Sequence, residues 1–297
     1  MSKLCFAVLL AFVFLCLGCG KDDTEKPEEP PIIQTLCEGC PFEYPKGLWI
    51  MGGKVYITEA SGRHGYGGKD ALSVYDPITN RKKTLLPDLL VCTEGVVVTS
   101  DTTIYLTSWL GNPVGDEGKV SFYNRATHTE VDTVNLAIAS VDMFIETNDD
   151  IYVIGSSETQ GANSVYRLPA GEYANPQVIH ESLGKTRSLT KSGNILYYSE
   201  DGGGIKRFVG GTLELFVNKD VESMSASSTY LFYADLAGGK VGKINISTKA
   251  DETIATGLHS PIAVRWVEAE SKLYFLEAGT SGQQYKDGRL RVITGIH

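Results

Sequence analysis

LYYSED (196–201) sets an apolar–aromatic pair before small and acidic residues, and the chain repeats this arrangement five more times. The other copies are VYITEA (55–60), IYLTSW (104–109), IYVIGS (151–156), LFYADL (231–236) and LYFLEA (273–278). Successive copies start 35 to 49 residues apart, a period that marks a repeat architecture. Each copy is too short for a helix and is rich in Tyr, Ile, Val and Phe, so it reads as a strand.

Working outward from 196–201, SLTKSG (188–193) precedes the pair, and GIKRFVG (204–210) and TLELFV (212–217) follow it. The first repeat has the same four strands in GLWIMG (47–52), KVYITE (54–59), ALSVYD (71–76) and RKKTLLP (81–87), with the turn DPITN (76–80) between the last two. Short strands at this spacing, with no amphipathic helical stretch, imply an all-β fold. Six four-stranded antiparallel sheets arranged radially make a six-bladed β-propeller over residues 31–297. The last repeat lacks its outer strand, so PIIQTL (31–36) is expected to close the ring beside RLRVITG (289–295). A flat solenoid would need caps that the chain does not contain.

The chain has 297 residues, 27 basic and 36 acidic, for a formal charge of −9. No basic stripe appears, which argues against nucleic acid or an anionic membrane surface as a partner. Residues 1–18 read as a signal peptide, because Lys3 precedes an apolar run, 4–18, shorter than a bilayer span. LCLGC (15–19) resembles the lipobox of bacterial lipoproteins, which would leave Cys19 as the lipidated first residue. Cleavage by an ordinary signal peptidase is the alternative. GKDDTEKPEEPP (20–31) resembles the export signal of surface lipoproteins in Bacteroidetes, or is merely a charged linker. Its prolines and acids cannot bury a core, so 19–30 read as a flexible tether. The expected location is the outer membrane, reached through the lipid anchor and facing the cell exterior.

Three cysteines lie beyond Cys19: Cys37, Cys40 and Cys92. An oxidising compartment favours disulfides. CEGC (37–40) lacks the second Cys or His pair of a structural zinc site and the βαβ setting of a thioredoxin motif. Two pairings stay open: a local Cys37–Cys40 bridge, or a bridge from this segment to Cys92 in the neighbouring blade.

LYYSEDGGGIKRF (196–208) and LFYADLAGGKVGKI (231–244) resemble the second and third blade strands of NHL- and YWTD-type six-bladed propellers. Tyr198 and Tyr233 stand where the YWTD motif has Trp. The resemblance implies a fold rather than an activity, since the wider superfamily holds regucalcin-like lactonases and non-enzymatic binding propellers alike. In such propellers, the loops between second and third strands share one face with the blade-to-blade links. Here those loops are short in repeats four and five and long in six, one, two and three. The long loops of repeats six, one and two carry Arg63, His64, Tyr66, Trp109, Asn112, Gln283 and Tyr285, aromatic faces beside polar groups that suit a small polar ligand.

Aligned on the repeat, Lys46, Glu94, Asp142 and Arg187, with Glu222, fall just before the inner strands, and repeat six offers His259 and Ser260. These residues are expected to ring the channel mouth. Mutual salt bridges are one reading of their mixed signs. The competing reading is a metal site in which Glu94, Asp142 and Glu222 offer oxygens to Ca²⁺. A regucalcin-like lactonase has a Glu, two Asn and an Asp there, and this column has no Asn. His64, His128, His180 and His259 are scattered, and no catalytic triad has motif support. No cofactor is required. The expectation is a surface-tethered binding propeller that captures a small polar ligand or a partner protein, for delivery to an outer-membrane transporter. A metal-dependent hydrolase or lyase at the channel mouth is the alternative.

Overall fold

The repeated pair becomes the second strand of every blade because both of its faces are covered by protein. A computed structural model describes residues 30–60, 70–89, 93–99, 103–109, 118–136, 139–146, 149–156, 163–280 and 285–296. The first strand, β1 (Ile32–Leu36), belongs to the last blade. Blade one is β2 (Pro45–Met51), β3 (Lys54–Glu59), β4 (Asp70–Asp76) and β5 (Arg81–Leu89). Blade two is β6 (Thr93–Val98), β7 (Thr103–Trp109), β8 (Gly118–Asn124) and β9 (Glu130–Leu136). Blade three is β10 (Ala139–Ile145), β11 (Ile151–Ser156), β12 (Asn163–Leu168) and β13 (Gln177–Leu183). Blade four is β14 (Thr186–Ser192), β15 (Ile195–Glu200), β16 (Gly204–Val209) and β17 (Thr212–Val217). Blade five is β18 (Ser223–Ala226), β19 (Tyr230–Asp235), β20 (Lys240–Asn245) and β21 (Asp251–Ala255). Blade six is β22 (Pro261–Val267), β23 (Lys272–Glu277) and β24 (Arg289–Thr294), completed by β1.

Every sheet is antiparallel with its strands in chain order, apart from β1 on the outer edge of β24. That pairing runs from Ile32 opposite Thr294 to Leu36 opposite Leu290, so 31–36 closes the ring as expected. The first strand of each blade packs on the first strand of the next, and β22 packs on β2. Burial peaks in the second strands, falls a little in the first strands along the channel, and is lowest at the outer edge. In β3, β15 and β23 all but the first residue is buried, whereas β17 and β9 are mostly exposed. Continuous apolar runs suit the covered strands, and alternation suits the outer ones.

Close approach between first strands requires glycine at two points. A Cβ on Gly47 would lie 2.3 Å from the Glu94 carbonyl oxygen, and one on Gly95 would lie 2.8 Å from Thr107 Oγ1. The room is used by hydroxyls. The Gly47 N–H donates to Thr58 Oγ1 (2.7 Å), which donates to the Glu94 carbonyl (2.9 Å). Further round, Met224 N–H donates to Ser188 Oγ (2.9 Å) and Trp266 N–H to Ser225 Oγ (3.0 Å). Each of these blades is thereby tied to its neighbour by side chain–backbone bonds as well as by apolar packing.

Two devices recur at the strand ends. Asp76, Asn124 and Asn245 each accept two backbone N–H bonds within the turn from third to fourth strand, and Asn80, His128 and Lys249 complete those turns at positive φ. At the end of the second strand a buried acid catches the chain entering its own blade. Glu59 accepts the Glu43 N–H (2.8 Å), Glu200 the Gly184 N–H (2.8 Å) and Glu277 the His259 N–H (2.6 Å). Each also holds a cation from an outer strand: Lys82, Lys206 and Arg291 respectively.

Cys37 and Cys40 form a disulfide between β1 and β2. Both sulfurs are used, so the alternative tie to Cys92 is not made; Cys92 itself lies outside the described residues.

Candidate functional site

One mouth of the central channel opens into a cavity of about 150 Å³. A single water needs about 10–15 Å³ of such space, so there is room for several waters or one small organic molecule. Its rim comes from the residues that enter the first strands. Lys46, Glu94, Arg187 and Glu222 all line it, together with Ser260. They stand as two ion pairs: Lys46 with Glu94 (3.3 Å), and Arg187 with Glu222, Arg187 also reaching Asp201 (3.0 Å). Burial alone would lower the Lys46 pKa, and the Glu94 carboxylate outweighs that and holds it raised. The same balance, with Glu222 opposing burial, keeps Arg187 raised.

Asp142 lines the same cavity one level deeper. Asp142 directly precedes Met143, whereas Arg187 stands two places before Leu189, the equivalent residue of blade four. Asp142 therefore sits one step further along its strand, and one such step moves a side chain to a different environment. Its carboxylate accepts from Met143 N–H (2.8 Å), Ser188 Oγ (2.8 Å) and Leu189 N–H (3.0 Å). Burial pushes its pKa up to about 6 against these bonds. His259 requires a correction. The irregularity between Pro261 and Ala263 gives the sixth-blade rim to Ser260 and Ile262, while His259 is exposed and does not line the cavity.

Below the rim, each blade supplies one apolar residue at an equivalent register: Leu48, Val96, Met143, Leu189, Met224 and Val264. One position further along β22 stands Arg265, which borders this cavity and also the one at the opposite mouth.

Above the rim, Tyr44 and Tyr285 meet edge to face, with ring centroids 4.9 Å apart, and both line the cavity. The Tyr44 N–H donates to the Tyr285 carbonyl (2.8 Å), and Lys46 Nζ lies 4.8 Å from the centre of the Tyr44 ring. Both tyrosines have left-handed backbones, φ 37° and 57°. For a bulky residue this conformation is strained, and such strain gathers at ligand clamps and active sites.

Of the loop residues singled out from sequence, Tyr285 is therefore at the cavity. Trp109 closes β7, its backbone paired with Gly118, so it is a strand residue rather than a loop residue. Arg63, His64, Tyr66, Asn112 and Gln283 lie outside the described residues, as do the signal segment and Cys19. Tyr44 and Arg265 were not legible as site residues. Tyr44 lies in the irregular link before Pro45. Arg265 shares its register with Trp49, Val97, Phe144, Thr190 and Ser225, a column with no common chemistry.

No family model matches the chain, and no curated relative is found. Solved structures do resemble it. The calcium-binding protein regucalcin from Agrobacterium tumefaciens has a TM-score of 0.68 at 13% identity, over 88% of this chain and 93% of that one. A luciferin-regenerating enzyme has a TM-score of 0.68 at 10% identity, over 90% and 96% of the two chains. The PQQ-bound aldose sugar dehydrogenase from Streptomyces coelicolor has 0.66 at 14% identity, over 90% and 99%. At such identities the likeness shows the fold: this is an NHL-like six-bladed β-propeller.

The acids at the mouth do not fit a calcium ion. Among the described residues no three His, Cys, Asp or Glu side chains gather as a metal would require. Glu94 and Glu222 are neutralised by Lys46 and Arg187, and Asp142 is taken up by three donors. Ca²⁺ needs six to eight oxygens and no competing cations.

Proposed function

We propose that this chain is a non-enzymatic binding propeller that takes a small polar ligand into the channel-mouth cavity. The observation that carries the reading is the Tyr44–Tyr285 pair, two strained aromatics bonded to each other over a concavity lined by ion pairs and an apolar ring. Aromatic faces with a few placed polar groups suit such a ligand. A thermal-shift screen against a library of small polar molecules tests it, since a ligand that binds only the native state raises its stability. Hits should lose their shift in Tyr44→Ala and Tyr285→Ala. A screen without hits, or hits indifferent to both substitutions, would refute the site.

The reading keeps the loop residues Arg63, His64, Tyr66, Asn112 and Gln283, and the strand-end Trp109, as candidate ligand contacts, each open to alanine substitution in the same assay. It also places the protein on the cell surface through Cys19, passing its ligand to an outer-membrane transporter. The support is the order of LGC and GKDD at the N-terminus (17–23). Added proteinase should digest the protein on intact cells. Protection that is unchanged when Lys21, Asp22 and Asp23 become Ala would sink the surface placement.

A further inference from the structure

Four arginines of the propeller meet a carboxylate: Arg167 with Asp150, Arg187 with Glu222, Arg207 with Glu214 and Arg291 with Glu277. Arg265 is different. It lies deep in the ring on a first strand, yet among the described residues its guanidinium makes no ion pair and no hydrogen bond. Its contact is the Trp49 ring, 3.5 Å from the guanidinium carbon to the ring centre. Stacking covers one face of the guanidinium and leaves its in-plane N–H donors free.

Those donors face the channel, because Arg265 borders the cavities at both mouths. Asp142 is the acid whose charge Arg265 feels, and that carboxylate is already bound to Met143, Ser188 and Leu189. Arg265 is half-buried in the channel wall, and none of its nitrogens is shut away from the channel without a partner. Arg265 is also placed so that anything bound to it is enclosed on its way to the mouth. Leu48, Val96, Met143, Leu189, Met224 and Val264 form a continuous apolar collar above it. Depth, free donors and collar together describe a socket for a molecule with an anionic end and a hydrocarbon body.

We propose that Arg265 anchors the carboxylate of a small organic acid held in this channel, with the collar enclosing the acid's hydrocarbon part. The planar guanidinium matches a carboxylate through two parallel N–H···O bonds. The cavity of about 150 Å³ limits the acid to a small molecule. This deepens the binding reading above by naming the ligand's chemistry, and it rests on that reading.

The test uses the purified full chain and isothermal titration with acetate, propionate, butyrate and hexanoate, with butyramide and inorganic phosphate alongside. Butyrate should bind at least tenfold more tightly than butyramide. Affinity should climb about three- to fourfold per methylene until the collar is filled. Arg265→Met should weaken butyrate at least tenfold, and Arg265→Lys less. Equal binding of butyrate and butyramide, no binding of either, or an unaffected Arg265→Met overturns the proposal. Phosphate binding as tightly as butyrate overturns it too, since the collar would then have no part. If Arg265→Met fails to fold, the comparison of butyrate with butyramide on the unaltered protein decides alone. Library hits that are neutral and lost in Tyr44→Ala but not in Arg265→Met would sink the acid anchor and leave the binding reading standing. A library with no hits at all would sink both.

Discussion

Arg265 of the sixth blade stacks on Trp49 of the first, and the Trp49 indole N–H in turn donates to the Val98 carbonyl of the second (2.8 Å). One buried tryptophan thus connects three consecutive blades across the point where the ring joins.

Trp49→Ala should cost about 3–5 kcal/mol, as for other buried aromatics truncated in a core. Trp49→Phe keeps a stacking face and loses only the hydrogen bond, so its cost should be about 1–2 kcal/mol. Urea unfolding of the two variants measures both. A Trp49→Ala protein as stable as the parent would mean that the blades do not depend on this contact.

Deleting residues 31–36 removes β1 and leaves β24 as an unpaired edge. Unpaired edges recruit other chains. The deleted protein should melt at a lower temperature and form oligomers on size-exclusion chromatography with light scattering. A monomer with an unchanged melting temperature would contradict the closure.

The Cys37–Cys40 bridge closes a short loop, for which the chain-entropy model gives about 2 kcal/mol. Non-reducing peptide mapping should find Cys37 joined to Cys40, and mild reduction should lower the melting temperature modestly. A peptide joining either residue to Cys92 would show the other pairing.

Asp142 gives a pH dependence of known sign. Its pKa is raised in the folded protein to about 6 by burial, so the folded state binds this proton more tightly than the unfolded state. The stabilisation from that proton is present in full below the unfolded value near 4 and is lost as pH rises through about 6. The gap between the two values is worth up to about 3 kcal/mol. Asp142→Asn should remove this component, so the parent should lose stability relative to the variant between about pH 4 and about pH 6.5. Melting curves at several pH values report the difference directly. Parallel curves for the two proteins would mean that Asp142 titrates normally.

The fold was legible because the second strands are covered on both faces. Val55, Ile57, Ile104, Leu231 and Leu273 have no exposure at all, and such positions tolerate little besides Val, Ile, Leu and aromatics. Six similar runs at one period therefore survive in the sequence. The rim was legible in part: Lys46, Glu94, Arg187 and Glu222 do meet around one cavity. Asp142 lines the same cavity one step deeper, and only His259 failed, where the pairing at the start of β22 is irregular. The repeated acids Glu59, Glu200 and Glu277 were visible only as punctuation after each strand. That they grip an incoming backbone depends on a chain segment 16 to 18 residues upstream, which local pattern does not reveal.

Closure by β1 also sets an order of events in folding. Five blades can assemble from neighbouring segments, each hairpin forming as soon as its own residues are available. The sixth joins Ile33 to Ile293, which is almost the longest separation the chain allows. Its loop-closure entropy is recovered only when both ends have arrived, so this pairing is expected to form last. During synthesis the earliest strand of the domain must wait, unpaired, for the latest one.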